Sequence, residues 1–135
     1  MINREDLESF FIRMGVEAEE VEDNIWVLHG EDGSADVVVT YAPPVVLLRI
    51  KVLDLPQDAR DPALAGLFRK LLELNASDLV HGSYGIEQGD VALSDALELE
   101  TLDFQELRAS YESVVFAASS HMPELASLVP VAQKG

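Results

Sequence analysis

The chain has 135 residues, of which 48% are hydrophobic and 7% aromatic, and this is enough for one domain with an aliphatic core. Twenty-five acidic residues stand against nine basic ones, so the formal net charge is −16, and neither nucleic acid nor an anionic membrane surface is an expected partner. The absence of cysteine excludes disulfides, thiolate metal sites and cysteine nucleophiles.

The beginning of the sequence, "MINREDLESFFIRMG", places acids where a signal peptide has a basic start and a long apolar stretch. No window comes near the roughly 18 apolar residues that a membrane span requires. The sequence therefore predicts a cytoplasmic protein without membrane contact. A single domain is expected over residues 1–135, with residues 130–135 frayed.

The first predicted element is an amphipathic helix over residues 3–14. Asn3 is a suitable N-cap, and Gly15 commonly ends a helix because glycine adopts left-handed backbone angles without strain. Apolar residues fall at helical spacing along it: Leu7, Phe10, Phe11 and Met14. The acidic run "EAEEVED" that follows has no recognisable metal-ligand spacing and is predicted to be a solvated connection.

Three strands are predicted next, from short runs rich in β-branched residues: 24–29, 35–41 and 44–53. The pair Asp32-Gly33 between the first two runs favours a tight hairpin, because glycine takes a positive φ without strain. Pro43 and Pro44 exclude a helix before the third run and mark a bend. The pattern is typical of an antiparallel meander.

A second helix is predicted over residues 62–80, with Asp61 as its cap and Pro62 in its first turn. Its apolar surface is wider than a single helical stripe, so we expect it to be covered on more than one side. Burial of this surface between two copies predicts a homodimer. The interface is predicted to contain Leu67, Leu71, Leu74 and Leu79.

The stretch "LVHGSYGIEQGDVAL" (79–93) contains a histidine, a serine and three glycines, which raises the question of a catalytic or phosphate-binding loop. A serine nucleophile elbow needs a glycine two residues before the serine, whereas His81 precedes Ser83 at that distance. A phosphate loop needs glycines that lead into a helix. The stretch is therefore predicted to end the second helix at Gly82 and to form a hairpin that turns at Gly89.

The last helix is predicted from an Asp103 cap with Glu106 at the capping-box position. A short extra turn is expected after it, in "HMPELASLV". The element order is then α-β-β-β-α-β-β-α, which predicts an α+β domain with an antiparallel sheet.

No metal, cofactor or catalytic site is predicted. The three histidines His29, His81 and His121 lack the spacing of zinc or iron ligands, and no calcium loop is present. We therefore expect no cofactor and no enzymatic activity. An uncharacterised small-molecule enzyme is the alternative, and a deep pocket with converging acids and a histidine would favour it.

Residues 67–116 resemble the C-terminal half of type III secretion chaperone-like proteins, a superfamily that includes the CesT-type (Tir) chaperones and the YbjN family of proposed sensory transduction regulators. Five features carry the resemblance: "LLELNA" (71–76), the glycine-led strand 82–86, the turn Gly89-Asp90, "VALSDALEL" (91–99) and "LDFQEL" (102–107). The N-terminal half matches in element order and size. The resemblance implies a two-layer fold of helices on a twisted antiparallel sheet, assembled as a homodimer.

The resemblance also implies a non-catalytic chaperone-like protein that binds a peptide segment of a client protein. The alternative is a YbjN-like regulatory interaction protein that acts on a folded partner. An acidic surface around an aliphatic core suits a client with apolar anchors among basic residues. The predicted peptide-binding residues are Phe10, Phe11, Met14, Trp26 and Val38. For Phe10, Phe11 and Met14 the competing interpretation is a place in the core.

Overall fold

The structure is a computed structural model that describes residues 1–31, 34–56 and 61–130. Its helices are α1 (Arg4–Met14), α2 (Ala65–Ser77) and α3 (Phe104–Ser127), and a short 3₁₀ turn (Pro62–Leu64) precedes α2. Its strands are β1 (Glu17–Glu22), β2 (Ile25–His29), β3 (Val37–Ala42), β4 (Val45–Asp54), β5 (Ser83–Glu87) and β6 (Asp90–Glu98). The predicted Asp32-Gly33 turn and the fraying of residues 131–135 lie outside the described residues.

The six strands form one antiparallel sheet in the order β1-β2-β3-β4-β6-β5. Buried and less buried side chains alternate along β2, β3 and β4, as expected for strands covered on one face. The buried set, which includes Trp26, Val39 and Leu48, forms one core with residues of all three helices. The predicted α+β class and the two-layer antiparallel architecture are confirmed.

The acidic run after α1 forms the edge strand β1, so its prediction as a connection is wrong. All six β1 residues are exposed, and the strand therefore shows none of the hydrophobic alternation that sequence reasoning relies on. It is held by backbone pairing with β2 across a turn at Asn24, which has a φ of 66°. Arg4 of α1 also donates two hydrogen bonds of 2.9 Å to the Glu20 carboxylate.

The helix ends follow their capping signals. Asn3 and Asp6 form a reciprocal capping box at the start of α1, and Gly15 ends that helix with a φ of 73°. The prediction for α2 extends too far, because the helix ends at Ser77. The predicted extra turn after the last helix is instead a continuation of α3 through Pro123, since His121 and Leu125 bury the same face as the preceding turns.

The glycine-rich stretch between α2 and β6 forms the predicted hairpin, although α2 ends at Ser77 and not at Gly82. Gly82 has a φ of 82°, and a Cβ at this position would lie 2.7 Å from the Ser94 carbonyl oxygen. Gln88 and Gly89 both have positive φ, the combination that a two-residue type I′ hairpin requires. The stretch therefore joins a helix to a hairpin.

Candidate functional site

The face of the sheet opposite the helices has an apolar centre. Ile25 and Val27 of β2 lie beside Val38 of β3 and, through Thr40, beside Leu47 of β4. Leu47 is exposed, and the other apolar members are half-buried. A shallow depression of about 290 Å³ opens among these side chains. We call this area the uncovered sheet face, defined by Ile25, Val27, Val38, Thr40 and Leu47.

Charged residues border the uncovered sheet face. Arg49 lies opposite Val38 and forms an ion pair with Glu87 of β5. Lys51 pairs with Asp54 at 2.6 Å. On the other side, Glu19 of β1 lies opposite Val27. The apolar centre is therefore flanked by satisfied ion pairs toward β5 and by acids toward β1.

A second apolar surface lies between α2 and β5, and we call it the α2–β5 groove. It encloses about 260 Å³ and is lined by Phe68, Leu71, Leu72, Asn75, Tyr84, Gly85 and Ile86. Leu72 is 69% exposed and Ile86 is 51% exposed, so two large aliphatic side chains stand in solvent at its rim. Large apolar groups exposed in adjacent positions are typical of interaction surfaces.

A buried polar chain fixes the wall of the α2–β5 groove. The Asn75 side chain accepts a hydrogen bond from the Tyr84 N–H and donates one to the Tyr84 carbonyl, at 2.7 and 3.1 Å. The Tyr84 hydroxyl lies 2.7 Å from Nδ1 of His121, and Nε2 of His121 lies 2.5 Å from a carboxylate oxygen of Asp78. Burial, with the Asp78 charge, raises the pKa of Tyr84 to about 12. This hydroxyl is therefore neutral and structural at physiological pH.

A third concavity, which we call the corner pocket, opens where α1, β1, β2 and α3 meet. It encloses about 470 Å³. Met14, Val16 and Val115 contribute half-buried apolar groups to its wall. Its polar groups come from Glu17, His29, Glu31, Arg108, Tyr111 and Glu112.

Nearby carboxylates act on two titratable side chains of the corner pocket wall, His29 and Tyr111. A hydrogen bond to Glu19, with the charges of Asp36 and Glu17, raises the pKa of His29. Burial, with the charges of Asp36 and Glu31, raises the pKa of Tyr111. Both shifts favour the protonated form, as expected when carboxylates surround a titratable group.

The convergence of acids with a histidine is the arrangement that would favour an enzyme, so the geometry of His29 matters. Its ring nitrogens face Glu19 at 3.1 Å and Asp36 at 3.5 Å. Both ring nitrogens therefore face carboxylates, and the hydrogen bond to Glu19 is the main cause that raises the pKa of His29.

The structure does not bring the five predicted peptide-binding residues together. Phe11 and Trp26 are 1% exposed and form an edge-to-face pair in the core, with ring centroids 5.7 Å apart. Their prediction as client anchors is wrong, because core packing leaves no surface for a ligand. Phe10 packs half-buried against Phe104, and Met14 lines the corner pocket. Val38 lies on the uncovered sheet face.

The predicted dimer-interface leucines also need correction. Leu67, Leu71 and Leu74 are at most 6% exposed and belong to the core of a single chain, and Leu79 packs against that core. The exposed apolar residues of this region include Leu72, Val80 and Ile86, and none of the three was among the predicted interface residues. Leu72 lies about 100° around the helix from the buried Leu71, at the edge of the apolar surface. The unusual width of that surface is therefore the one sequence signal that could have indicated the exposure of Leu72.

Within residues 1–31, 34–56 and 61–130, no group of three or more histidine, aspartate or glutamate side chains is arranged to hold a metal ion. In the same part of the chain, no helix combines the length and the apolarity needed to cross a membrane.

Comparison with known proteins gives a family match over nearly the whole chain. The model of the CesT_Tir_1 family matches residues 2–130. No curated protein matches the sequence. The match confirms the resemblance to type III secretion chaperone-like proteins that residues 67–116 indicated.

Solved structures share the fold at low sequence identity. A chain of the heterodimeric ExoU–SpcU complex from the type III secretion system of Pseudomonas aeruginosa superposes with a TM-score of 0.69 and 15% identity, covering 91% of this chain and 97% of that one. YbjN from E. coli, a candidate transcription regulator, superposes with a TM-score of 0.66 and 14% identity, and the match covers 91% of this chain and 93% of YbjN. A third match is a chain of the complex between the Yersinia pestis type III secretion chaperone SycH and a fragment of YscM2. It superposes with a TM-score of 0.57 and 16% identity, and the match covers 84% of this chain and 94% of that one.

Proposed function

The chain belongs to the CesT_Tir_1 family, and from that premise we propose that it is a non-catalytic, homodimeric chaperone-like protein that binds an extended segment of a client protein. The observation that carries the proposal is the uncovered sheet face. Ile25, Val38 and Leu47 form a shallow apolar area on a six-stranded sheet that its own helices cover on the other face only. A shallow apolar area with a polar border suits side-chain anchors of an extended segment.

The α2–β5 groove is the surface we assign to the second copy of the chain. Charge supports this choice, because two molecules of net charge −16 repel each other wherever acids are concentrated. Helix α2 carries two bases, Arg69 and Lys70, against one acid, Glu73. Exposed Leu72 and Ile86 beside this weakly charged helix therefore allow a self-complementary contact with little repulsion between acids.

The dimer is tested with Leu72→Asp, which places a charge in the proposed interface. Ile12→Asp is the matched control, because Ile12 is an exposed aliphatic residue on a different helix. We expect sedimentation velocity to give a dimer for the wild type and the control, and a monomer for Leu72→Asp. A monomeric wild type at tens of micromolar, or a dimer that Leu72→Asp leaves intact, contradicts the assignment.

Client binding is tested with Val38→Asp and a labelled, extended peptide in which leucine alternates with serine around one central arginine. Arg49 lies opposite Val38 and offers the new carboxylate a partner, so the fold is expected to survive. Val21→Asp is the control, since Val21 is exposed at the bulge in β1. We expect fluorescence anisotropy to show about tenfold weaker binding for Val38→Asp, which corresponds to the loss of roughly one apolar anchor.

Two outcomes count against this function. If Val38→Asp and Val21→Asp bind the peptide equally, the uncovered sheet face is not the client surface. If neither the wild type nor the variants bind extended peptides, client holding is wrong, and a regulatory protein that acts on a folded partner becomes the better account. Urea unfolding of each variant separates lost binding from lost folding.

A further inference from the structure

We propose that the corner pocket binds one basic side chain, an arginine or a lysine, of the client segment. This inference rests on the proposed client binding and assigns a specificity site to it. The pocket lies at the end of β2, whose Ile25 and Val27 belong to the uncovered sheet face. His29 follows Ile25 and Val27 on the same face of β2 and lies opposite Glu17, so a segment anchored on that face would reach the pocket around the end of β2.

The pocket has the mixed lining that a long basic side chain needs. Met14 and Val16, from the end of α1 and the residues after it, and Val115 of α3 supply apolar groups for the methylene stem. Glu17 and Glu31 stand at the wall for the charged head. A volume of about 470 Å³ accommodates one such side chain with water and leaves room for the adjoining backbone.

The cations already present do not neutralise the site. Arg108 is paired with Glu112 at 3.2 Å, and His29 is paired with Glu19 and Asp36. Within the described ranges, Glu17 and Glu31 have no ion-pair partner. These two carboxylates therefore remain available to a cation supplied by a ligand.

The tyrosine on the pocket wall lies close enough to two of these acids for their charges to act on it. Tyr111 is half-buried, and its pKa is raised first by that burial and further by the charges of Asp36 and Glu31. An apolar wall beside negatively charged carboxylates favours a cation with an aliphatic stem over an anion or a neutral side chain.

A basic side chain in the pocket and the proton on His29 are both stabilised by the same carboxylates. The pKa of His29 therefore reports whether the pocket is occupied. The groups facing this imidazole are Glu17 and Glu19 of β1 and Asp36 before β3, and Glu31, Arg108, Tyr111 and Glu112 line the rest of the pocket. A bound guanidinium must lower the pKa of His29, because it offsets the charges that favour the imidazolium. By reciprocity, affinity for the cation rises as pH increases through that pKa.

The first experiment compares two labelled peptides, the leucine–serine peptide with its central arginine and the same peptide with citrulline, a neutral isostere. We expect the arginine peptide to bind about tenfold more tightly, as one charge-assisted contact predicts. The double variant Glu17→Gln/Glu31→Gln is expected to remove this preference. Glu98→Gln/Glu100→Gln, which makes the same charge change at exposed positions elsewhere, is expected to retain it.

The second experiment titrates His29 by NMR with and without acetyl-arginine amide, a probe that does not depend on the uncovered sheet face. A pKa of His29 that falls on addition of this probe supports the pocket, and an unchanged pKa overturns it. Equal binding of the arginine and citrulline peptides also overturns the pocket, but it leaves client binding intact. Failure of both peptides to bind, with a His29 response to the probe, overturns the proposed function and keeps the cation site.

Discussion

Replacement of Phe11 separates a core residue from a client anchor. Phe11 is 1% exposed, packs edge-to-face on Trp26 and lies between α1 and the sheet. Truncation of a buried phenylalanine to alanine costs about 3–5 kcal/mol through lost burial and the cavity left behind. A domain of this kind is stable by roughly 5–15 kcal/mol, so Phe11→Ala is expected to remain folded with a large loss of stability.

The neighbouring Phe10 provides the comparison. It is half-buried, and its ring contacts Phe104 at a centroid distance of 5.8 Å. Because part of its surface stays in water in the folded chain, Phe10→Ala is expected to cost about half as much as Phe11→Ala. Urea denaturation followed by circular dichroism measures both values. Equal costs for the two variants, or a cost for Phe11→Ala below about 1 kcal/mol, would refute the assignment of Phe11 to the core.

Three further predictions follow from single contacts. Tyr84→Phe removes the hydroxyl 2.7 Å from a buried nitrogen of His121, and urea unfolding should show a loss of stability of about 1–3 kcal/mol. Tyr41→Phe removes a hydrogen bond of 3.3 Å at a half-buried site and should cost less than about 1 kcal/mol. Equal losses for the two variants would contradict this prediction. Gly82→Ala should lower the melting temperature because of its positive φ and the 2.7 Å approach to a carbonyl, while Gly66→Ala, in open space on α2, should raise it. Because the pKa of His29 is raised in the folded chain, protonated His29 stabilises the fold. This stabilisation is fully present below the unfolded-state pKa of about 6.5 and is lost as pH rises through the folded-state pKa. An NMR titration that gives an ordinary or lowered pKa for His29 would refute the prediction.

Local signals in the sequence predicted most of the fold because they act over few residues. The Asn3 cap, the Gly15 terminator and the Gln88-Gly89 turn each depend on one or two backbone angles, and each has the predicted conformation. The strand β1 escaped prediction because "EAEEVE" buries no side chain and is ordered by its pairing with β2. Edge strands of this type carry no periodic hydrophobic signal.

The candidate sites were less predictable, because apolar character in a sequence does not distinguish a core residue from a binding residue. Phe10 and Phe11 are adjacent and chemically identical, yet only Phe11 points into the core. Leu71 and Leu72 divide in the same way between the core and the groove rim. The corner pocket joins residues as distant as Met14 and Tyr111, so only the packing of α3 beside α1 could indicate it.

The central claim, that the uncovered sheet face holds an extended client segment, is tested most directly by methyl NMR. The leucine–serine peptide with its central arginine would be titrated into protein with labelled isoleucine, leucine and valine methyl groups. We expect the largest shift changes at Ile25, Val38 and Leu47, with little change at Ile12 and Val21, which are exposed elsewhere. Changes confined to Leu72 and Ile86, or no change in any methyl signal, would contradict the claim.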